Sequence, residues 1–331
     1  MLEVIKPGLE TSVQDWPGRI GYWNQGFPPS GPMDSWSFRM ANLLVGNAPG
    51  TASLECQFIG PTLRFQRAGV ISVTGGDMQP RLDDQPIAMW ESFAVEPGQT
   101  LSLMPAKTGA RAYIAVAGDI VTEPWLGSRS TFHKAGVGGM DGRAIQTGQT
   151  VPTGEGASQP GRRVREDRRP PISMDKSWTV EVVAGPNDDW IDAAGHERFL
   201  SFDWKLSAKS DRTGYRLEGP DWSFTEKALN KAPEHGQEPS NIIDQGYPCG
   251  AINLAGQTPI ILVNDGPSMG GFINPYTVPQ AAFWKLGQAK PGETLRFKSI
   301  SVSEAQALAL QLDAYYSEDS IEGGKSIWPW K

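Results

Sequence analysis

Residues 239–272, PSNIIDQGYPCGAINLAGQTPIILVNDGPSMGGF, decide how this chain reads. At their centre, Pro259-Ile260-Ile261-Leu262-Val263 is too short for an ordinary helix and rich in β-branched residues, which specifies a buried strand over residues 258–263. Asn264-Asp265-Gly266-Pro267 ends that strand as a turn. Polar groups crowd both of its ends: Ser240, Asn241 and Asp244 before it, then Asn264, Asp265, Ser268, Gly270 and Gly271 after it. The pair Gly270-Gly271 permits positive φ or close main-chain approach, so that N–H groups face a concavity and hold an anion. The same residues also suit an ordinary β-turn.

Composition fixes the setting of that stretch. A chain of 331 residues has room for two domains with separate cores. With 38 Gly and 27 Pro and few long helical periods, it reads as turn-rich and mainly β. A net charge of -7 excludes nucleic acid and anionic membrane as expected partners, since both require clustered Lys and Arg. No apolar run has the length of a membrane span, and charge in MLEVIKPGLETSVQDW stands where a signal peptide would be apolar, so a cytoplasmic location is expected. The two cysteines, Cys56 and Cys249, offer no disulfide framework or CxxC site. His133, His196 and His235 lack metal-ligand spacing, so neither a metal site nor a Ser-His-Asp triad is expected, and each reads as a surface or hydrogen-bonded residue.

Taken in order, residues 14–34 form a long shaped loop rich in Gly and Pro. Asp34 caps a helix carrying Trp36, Met40, Leu43 and Leu44, which Gly46 stops. Short β-like runs from Leu54 to Ala117 spaced by turns suggest a barrel or sandwich. Neither GxxxxGK[ST] nor a strand-flanked GxGxxG occurs, so nucleotide binding has no support. Gly127 to Gly148 is a second glycine-rich loop, with Ser128, Arg129 and Ser130 as its most specific cluster. The charged stretch within Pro152 to Pro171 reads as a solvated connector. The expected organisation is therefore an N-terminal domain over 1–155, a linker over 156–175 and a C-terminal domain over 176–331. The second domain opens with a strand at Trp178–Val183 and a helix at Trp190–Phe202. It ends in a helix capped by Ser301 and Glu304, and the tail after Ser317, containing SIWPW, is expected to be frayed or partner-bound.

The halves repeat one another. Trp90 to Leu101, WESFAVEPGQTL, matches Trp284 to Leu295, WKLGQAKPGETL, and Arg19-Ile20-Gly21-Tyr22 matches Arg212-Thr213-Gly214-Tyr215 at an offset one residue shorter. The alignment sets Thr74-Gly75-Gly76-Asp77 opposite Ser268-Met269-Gly270-Gly271. Two copies of one β-rich fold follow, and a cleft between copies is a usual place for a small-molecule site.

Together, QDWPGRIGYW, SGPMD, LGSRSTF, RTGYRLEGP, PSNIIDQGY, NDGPSMGGF and WKLGQAKPGETLRF resemble the allophanate hydrolase subunit 2 family, and within it the carboxyltransferase part of urea carboxylase and urea amidolyase. The resemblance runs from residue 3 to about 300 and implies two cyclophilin-like β-barrel domains related by duplication. It also implies a biotin-dependent carboxyltransferase component that is inactive alone, moving a carboxyl group from carboxybiotin to urea or a related nitrogen compound. The implied partners are a subunit-1-type protein, a biotin carboxylase and a biotin carrier. By the same resemblance Asn241, Asp244 and Asp265 are the catalytic candidates. Ser240, Arg212, Ser268, Gly270, Gly271, Ser30, Asp34, Ser128 and Arg129 are the binding candidates, Arg212 as a bidentate holder of a carboxylate. Each polar candidate also fits a turn, a cap or, for Arg212, a structural ion pair. The chain departs from the urea carboxylase pattern at Ile243, Asn274-Pro275 and Ala281-Ala282-Phe283, which bears on the acceptor more than the fold. An ATP-dependent 5-oxoprolinase component and a non-catalytic regulatory protein are the alternatives.

Overall fold

The computed structural model describes residues 1–324. The chain divides into two units, one of Met1–Ile20, Ser30–Ile172 and the stretch from Leu312, the other of Gly21–Pro29 and Ser173–Gln311. Both are mainly β, as the composition implies.

In the first unit the strand Arg111–Val116 is buried at all six positions and its neighbour Gly69–Gly75 at all but the first. Such continuous apolar runs are strands covered on both faces. One face, with Ile71, Val73 and Ile114, packs on Leu2, Val4, Leu63 and Leu101. The other, with Val70, Tyr113 and Ala115, packs on Phe38, Ala41 and Val45 at the helix Ser35–Leu44. These central strands belong to a five-stranded sheet with Glu10–Gln14, Ser53–Gln57 and Ser92–Val95. The sheet facing it has six strands, with Leu2–Lys6, Thr62–Phe65 and Thr100–Ser102 at its middle. Of the barrel or sandwich expected here, the first unit has two sheets on one core. The larger sheet ends in the two-residue strands Thr150–Val151 and Gln85–Pro86, and Pro86 has no N–H to give to a further strand.

The second unit does close. Its seven strands run in the order Ser177–Ala184, Tyr276–Thr277, Ala251–Ala255, Thr258–Leu262, Gly214–Glu218, Trp204–Leu206 and Thr294–Ser299, and the last pairs in parallel with the first. Phe199 of the helix Ala193–Ser201 is fully buried, stacked on Tyr276 at 4.6 Å and on Phe297 at 4.4 Å between ring centroids. Contacts of this kind add to the transfer of the rings from water. A separate two-stranded ribbon, Asn241–Gly246 with Met269–Phe272, completes the unit.

The repeat is visible in one turn. Gly98 and Gly292 both take positive φ, +91° and +84°. Gly98 N donates to Phe65 O and Gly292 N to Leu206 O, each at 2.7 Å. The Gln99 side chain accepts from Glu96 N at 2.8 Å, as that of Glu293 does from Lys290 N at 3.0 Å. Upstream the copies diverge, because Trp90 leads into the strand Ser92–Val95 whereas Trp284 lies within the helix Phe283–Gln288. Thr74-Gly75 ends a strand while Met269 begins one, so these two stretches are not equivalent turns.

The charged stretch expected as a solvated connector is packed as far as Ile172. Arg163-Val164 pairs with Ile321-Glu322, Val164 is fully buried, and Arg162, 1% exposed, meets Glu318 at 2.7 Å. Its partner strand comes from the far end of the chain, which no local pattern reveals. The capping box is formed, with Ser301 N donating to Glu304 Oε2 at 2.7 Å and Glu304 N to Ser301 Oγ at 3.2 Å. Beyond it, Tyr316 and Trp16 enclose the Arg39 guanidinium at 3.2 and 4.1 Å from their ring centroids, and Arg39 Nη1 reaches Asp313 at 2.7 Å. The described part of the tail is therefore packed, not frayed, and SIWPW lies outside the described residues. Because Asp313 is solvent-exposed, Asp313→Ala should cost under about 1 kcal/mol, whereas Tyr316→Ala, losing ring burial and the cation–π contact, should cost about 2–3 kcal/mol in urea unfolding.

Candidate functional site

The ribbon carries four of the sequence candidates, Asn241, Asp244, Gly270 and Gly271, and Ser240 and Ser268 immediately precede its two strands. Asn241 pairs with Phe272, Gln245 with Gly270 and Gly246 with Met269, and the register shifts between Asn241 and Gln245. A bulge of this kind re-aims side chains, and Asp244 stands on it with its carboxylate exposed. Neither glycine takes positive φ; both serve close approach. A Cβ on Gly271 would lie 3.0 Å from Ile242 O and 3.2 Å from Asp244 Oδ1, and one on Gly270 would lie 2.8 Å from the Tyr247 ring. Tyr247 Oη donates to Phe272 O at 2.8 Å and accepts from Phe272 N at 2.6 Å. Burial, reinforced by the Asp244 charge, raises its pKa, so the phenol stays protonated. Ser240 precedes the ribbon, fully buried; its carbonyl accepts from Ile273 N at 2.9 Å and its Oγ has no hydrogen-bond partner. Ser268 Oγ donates to Trp23 O at 3.3 Å.

Three supports of this strand have no counterpart among the sequence candidates. Lys231 Nζ donates to Asn241 O at 2.6 Å and also to Glu238 O, and burial lowers its pKa. His235 Nδ1 accepts from Ile243 N at 3.2 Å, which requires that nitrogen to be unprotonated. Gly236 leaves the space of Asn241 Nδ2, 2.9 Å from where a Cβ would sit. All three lie just upstream of the PSN motif on a loop without periodicity, where sequence carries no sign of contact. His235→Ala should speed hydrogen–deuterium exchange at the Ile243 amide about tenfold or more, and His235→Asn, whose Oδ1 can stand near the Nδ1 position, should restore protection. Equal exchange in all three proteins would remove His235 from this role.

The remaining candidates, Ser30 apart, are bonded within the protein. Arg212 and Asp265 bond to each other, Nε to Oδ2 at 2.9 Å and Nη2 to Oδ1 at 3.4 Å, both 5% exposed, so the guanidinium expected to hold a substrate carboxylate holds a protein one. Asp265 N donates to Arg212 O at 2.8 Å, and beside them burial and the Asp265 charge push the Cys249 thiol up to about 12. Asp34 is the helix cap, accepting from Ser37 N at 2.9 Å, within a buried chain through Tyr113 Oη to Glu55. Ser128 Oγ and the Arg129 backbone N–H wrap the Asp15 carboxylate at 2.5 and 2.6 Å, while the Arg129 guanidinium donates to Thr122 O at 2.8 Å. Ser30 is buried at φ +54° with its Oγ unpartnered. These four belong to the first unit, whereas the ribbon belongs to the second. Among the described residues no group of three or more His, Cys, Asp or Glu is placed to hold a metal, and no helix is long and apolar enough to cross a membrane.

Residues 25–299 match the family model for the carboxyltransferase domain, subdomain A and B, and the chain belongs to that family. It is 40% identical to the urea amidolyase of Lachancea kluyveri over 98% of its own length and 18% of that protein's. It is 30% identical to a 5-oxoprolinase component of Escherichia coli, covering 96% of this chain and 97% of the other. The crystal structure of the K. lactis urea amidolyase aligns with a TM-score of 0.89 at 37% identity, covering 97% of this chain and 20% of that one. The chain thus spans about a fifth of the urea amidolyases it matches.

Proposed function

We propose that the chain is the acceptor-handling part of a biotin-dependent carboxyltransferase that moves a carboxyl group to a nitrogen of urea or a related compound. The observation that carries this reading is the bulged ribbon, which presents the Asp244 carboxylate beside the Gly271 gap with Asn241 on the same strand. Urea offers N–H donors and one carbonyl acceptor. A carboxylate and an amide on one strand bind such a molecule in a fixed pose, and the carboxylate takes the proton as the acceptor nitrogen forms its new bond to carbon. Carboxybiotin, carried by a partner, would supply the activated carboxyl group; the bond that breaks is the one joining that group to the biotin nitrogen, which leaves and takes back a proton. Exposed Ile243, Met269 and Phe272 on the same ribbon fit such a delivery, since they give apolar surface for a ring or a partner chain. The expected partners are a subunit-1-type protein, a biotin carboxylase and a biotin carrier. The experiment is acceptor-dependent fixation of labelled bicarbonate by the complex purified with this chain, urea tested against guanidine.

The similarity to the Escherichia coli 5-oxoprolinase component over nearly that protein's full length supports a second reading, a part of an ATP-dependent 5-oxoprolinase. Hydrolysis of 5-oxoproline by a complex containing no biotinylated protein would favour it over carboxyl transfer.

A further inference from the structure

The first unit holds a cavity of about 590 Å³ that the ribbon chemistry does not use. Its lining includes the apolar Ile87, Met89 and Trp90 and the charged Asp77, Arg81 and Arg169. An adjoining cavity of about 610 Å³ shares Met89 and Arg169.

Arg169 sets this place apart. Its Nε and Nη2 both donate to one carbonyl, Val164 O, at 2.9 and 2.6 Å. Arg39, Arg162, Arg163 and Arg212 each contact a carboxylate. Arg169 contacts none among the described residues, although Glu166, Glu322 and Glu91 act on it from farther away. Burial lowers its pKa, the mark of a partly desolvated cation without a contacting counter-charge.

The cavity is also held under strain. Gln79 and Trp90, neither of them glycine, line it at φ +48° and +65°, conformations that L side chains rarely adopt. Trp90 N donates to Val73 O at 2.7 Å, and Val164 N donates to Trp90 O at 3.0 Å. Val164 therefore holds both the main chain of Trp90, through its N–H, and the Arg169 guanidinium, through its carbonyl. Asp77 comes from the Thr74-Gly75-Gly76-Asp77 stretch, and its Oδ1 accepts from Gln79 N at 2.9 Å.

We propose that this cavity binds a small organic monoanion with an apolar body, the carboxylate on Arg169 and the body on Trp90, Met89 and Ile87. The planar guanidinium suits a carboxylate. Two arginines against one aspartate suit a single negative charge, and Asp77 opposes a second. The aromatic and thioether wall favours a ring or branched chain over a bare ion. Nothing in this assignment rests on the carboxyl-transfer reading.

The test is ligand-observed NMR and calorimetry on the full chain with phenylacetate, phenylacetamide and inorganic phosphate as probes. Phenylacetate should bind at least about tenfold tighter than the other two, and Arg169→Gln should weaken it about tenfold. Ile87→Glu puts a carboxylate into the cavity without touching the bonds of Arg169 to Val164, and it should abolish binding, with a cooperative thermal unfolding transition recorded beside it to show that the variant is folded. Equal binding of phenylacetamide, unchanged affinity in both variants, or no binding of phenylacetate at millimolar concentration would each overturn the assignment.

Discussion

Asp265→Ala is expected to destabilise the second unit by about 3–5 kcal/mol, because it leaves the Arg212 guanidinium buried without its carboxylate. For a unit of this size that is a drop in Tm of roughly 10 °C. Replacing both partners by apolar residues, Arg212→Met with Asp265→Leu, should recover most of the loss, since a buried pair stabilises little over well-packed hydrophobes. Cys249 gives a local readout. Its thiol is held protonated by burial and by Asp265, so a native sample at pH 8 should resist alkylation, and the single variant should react faster as the unit opens. A substrate-binding Arg212, by contrast, would give a variant with normal stability and lost activity. The two results separate a structural ion pair from a binding one.

The second large effect is on activity. In the assembled enzyme Asp244→Ala should lower acceptor-dependent turnover by about 10²-fold or more, the range for removing a positioned acid–base group. Asn241→Ala should act mainly by raising the KM for the acceptor. Asp244 is exposed on a bulge, so its loss should leave the Tm nearly unchanged. Gly271→Ala is a useful companion, because its Cβ would crowd Asp244 Oδ1 at 3.2 Å and reach Ile242 O at 3.0 Å while every polar group remains.

The contrast between Asp244 and Asp265 shows what sequence carried. Both stand in one motif-rich stretch, and the family resemblance gave them the same role. Only the fold separates them, since Asp265 follows the buried strand Thr258–Leu262 and meets an arginine far away in the chain, whereas Asp244 is lifted outward by a register shift. The strand itself was legible from its β-branched run, the cap at Asp34 from its residue type, and the capping box at Ser301 from its spacing. These are local features, set by neighbours within a few residues. Pairing of Arg163-Val164 with Ile321-Glu322, the bond from Lys231 to Asn241 and the cage around Arg39 depend on segments whose sequence gives no sign of meeting. Closure of one sheet system and not the other was likewise hidden, because it depends on pairing between strands far apart in the chain, such as Ser177–Ala184 with Thr294–Ser299.

The most direct measurement is fixation of labelled bicarbonate into urea by the complex purified with this chain, run beside the same complex carrying Asp244→Ala. The account predicts biotin-dependent labelling that falls by about 10²-fold in the variant while the complex stays intact. Equal labelling in both, or labelling that does not require biotin, would contradict it.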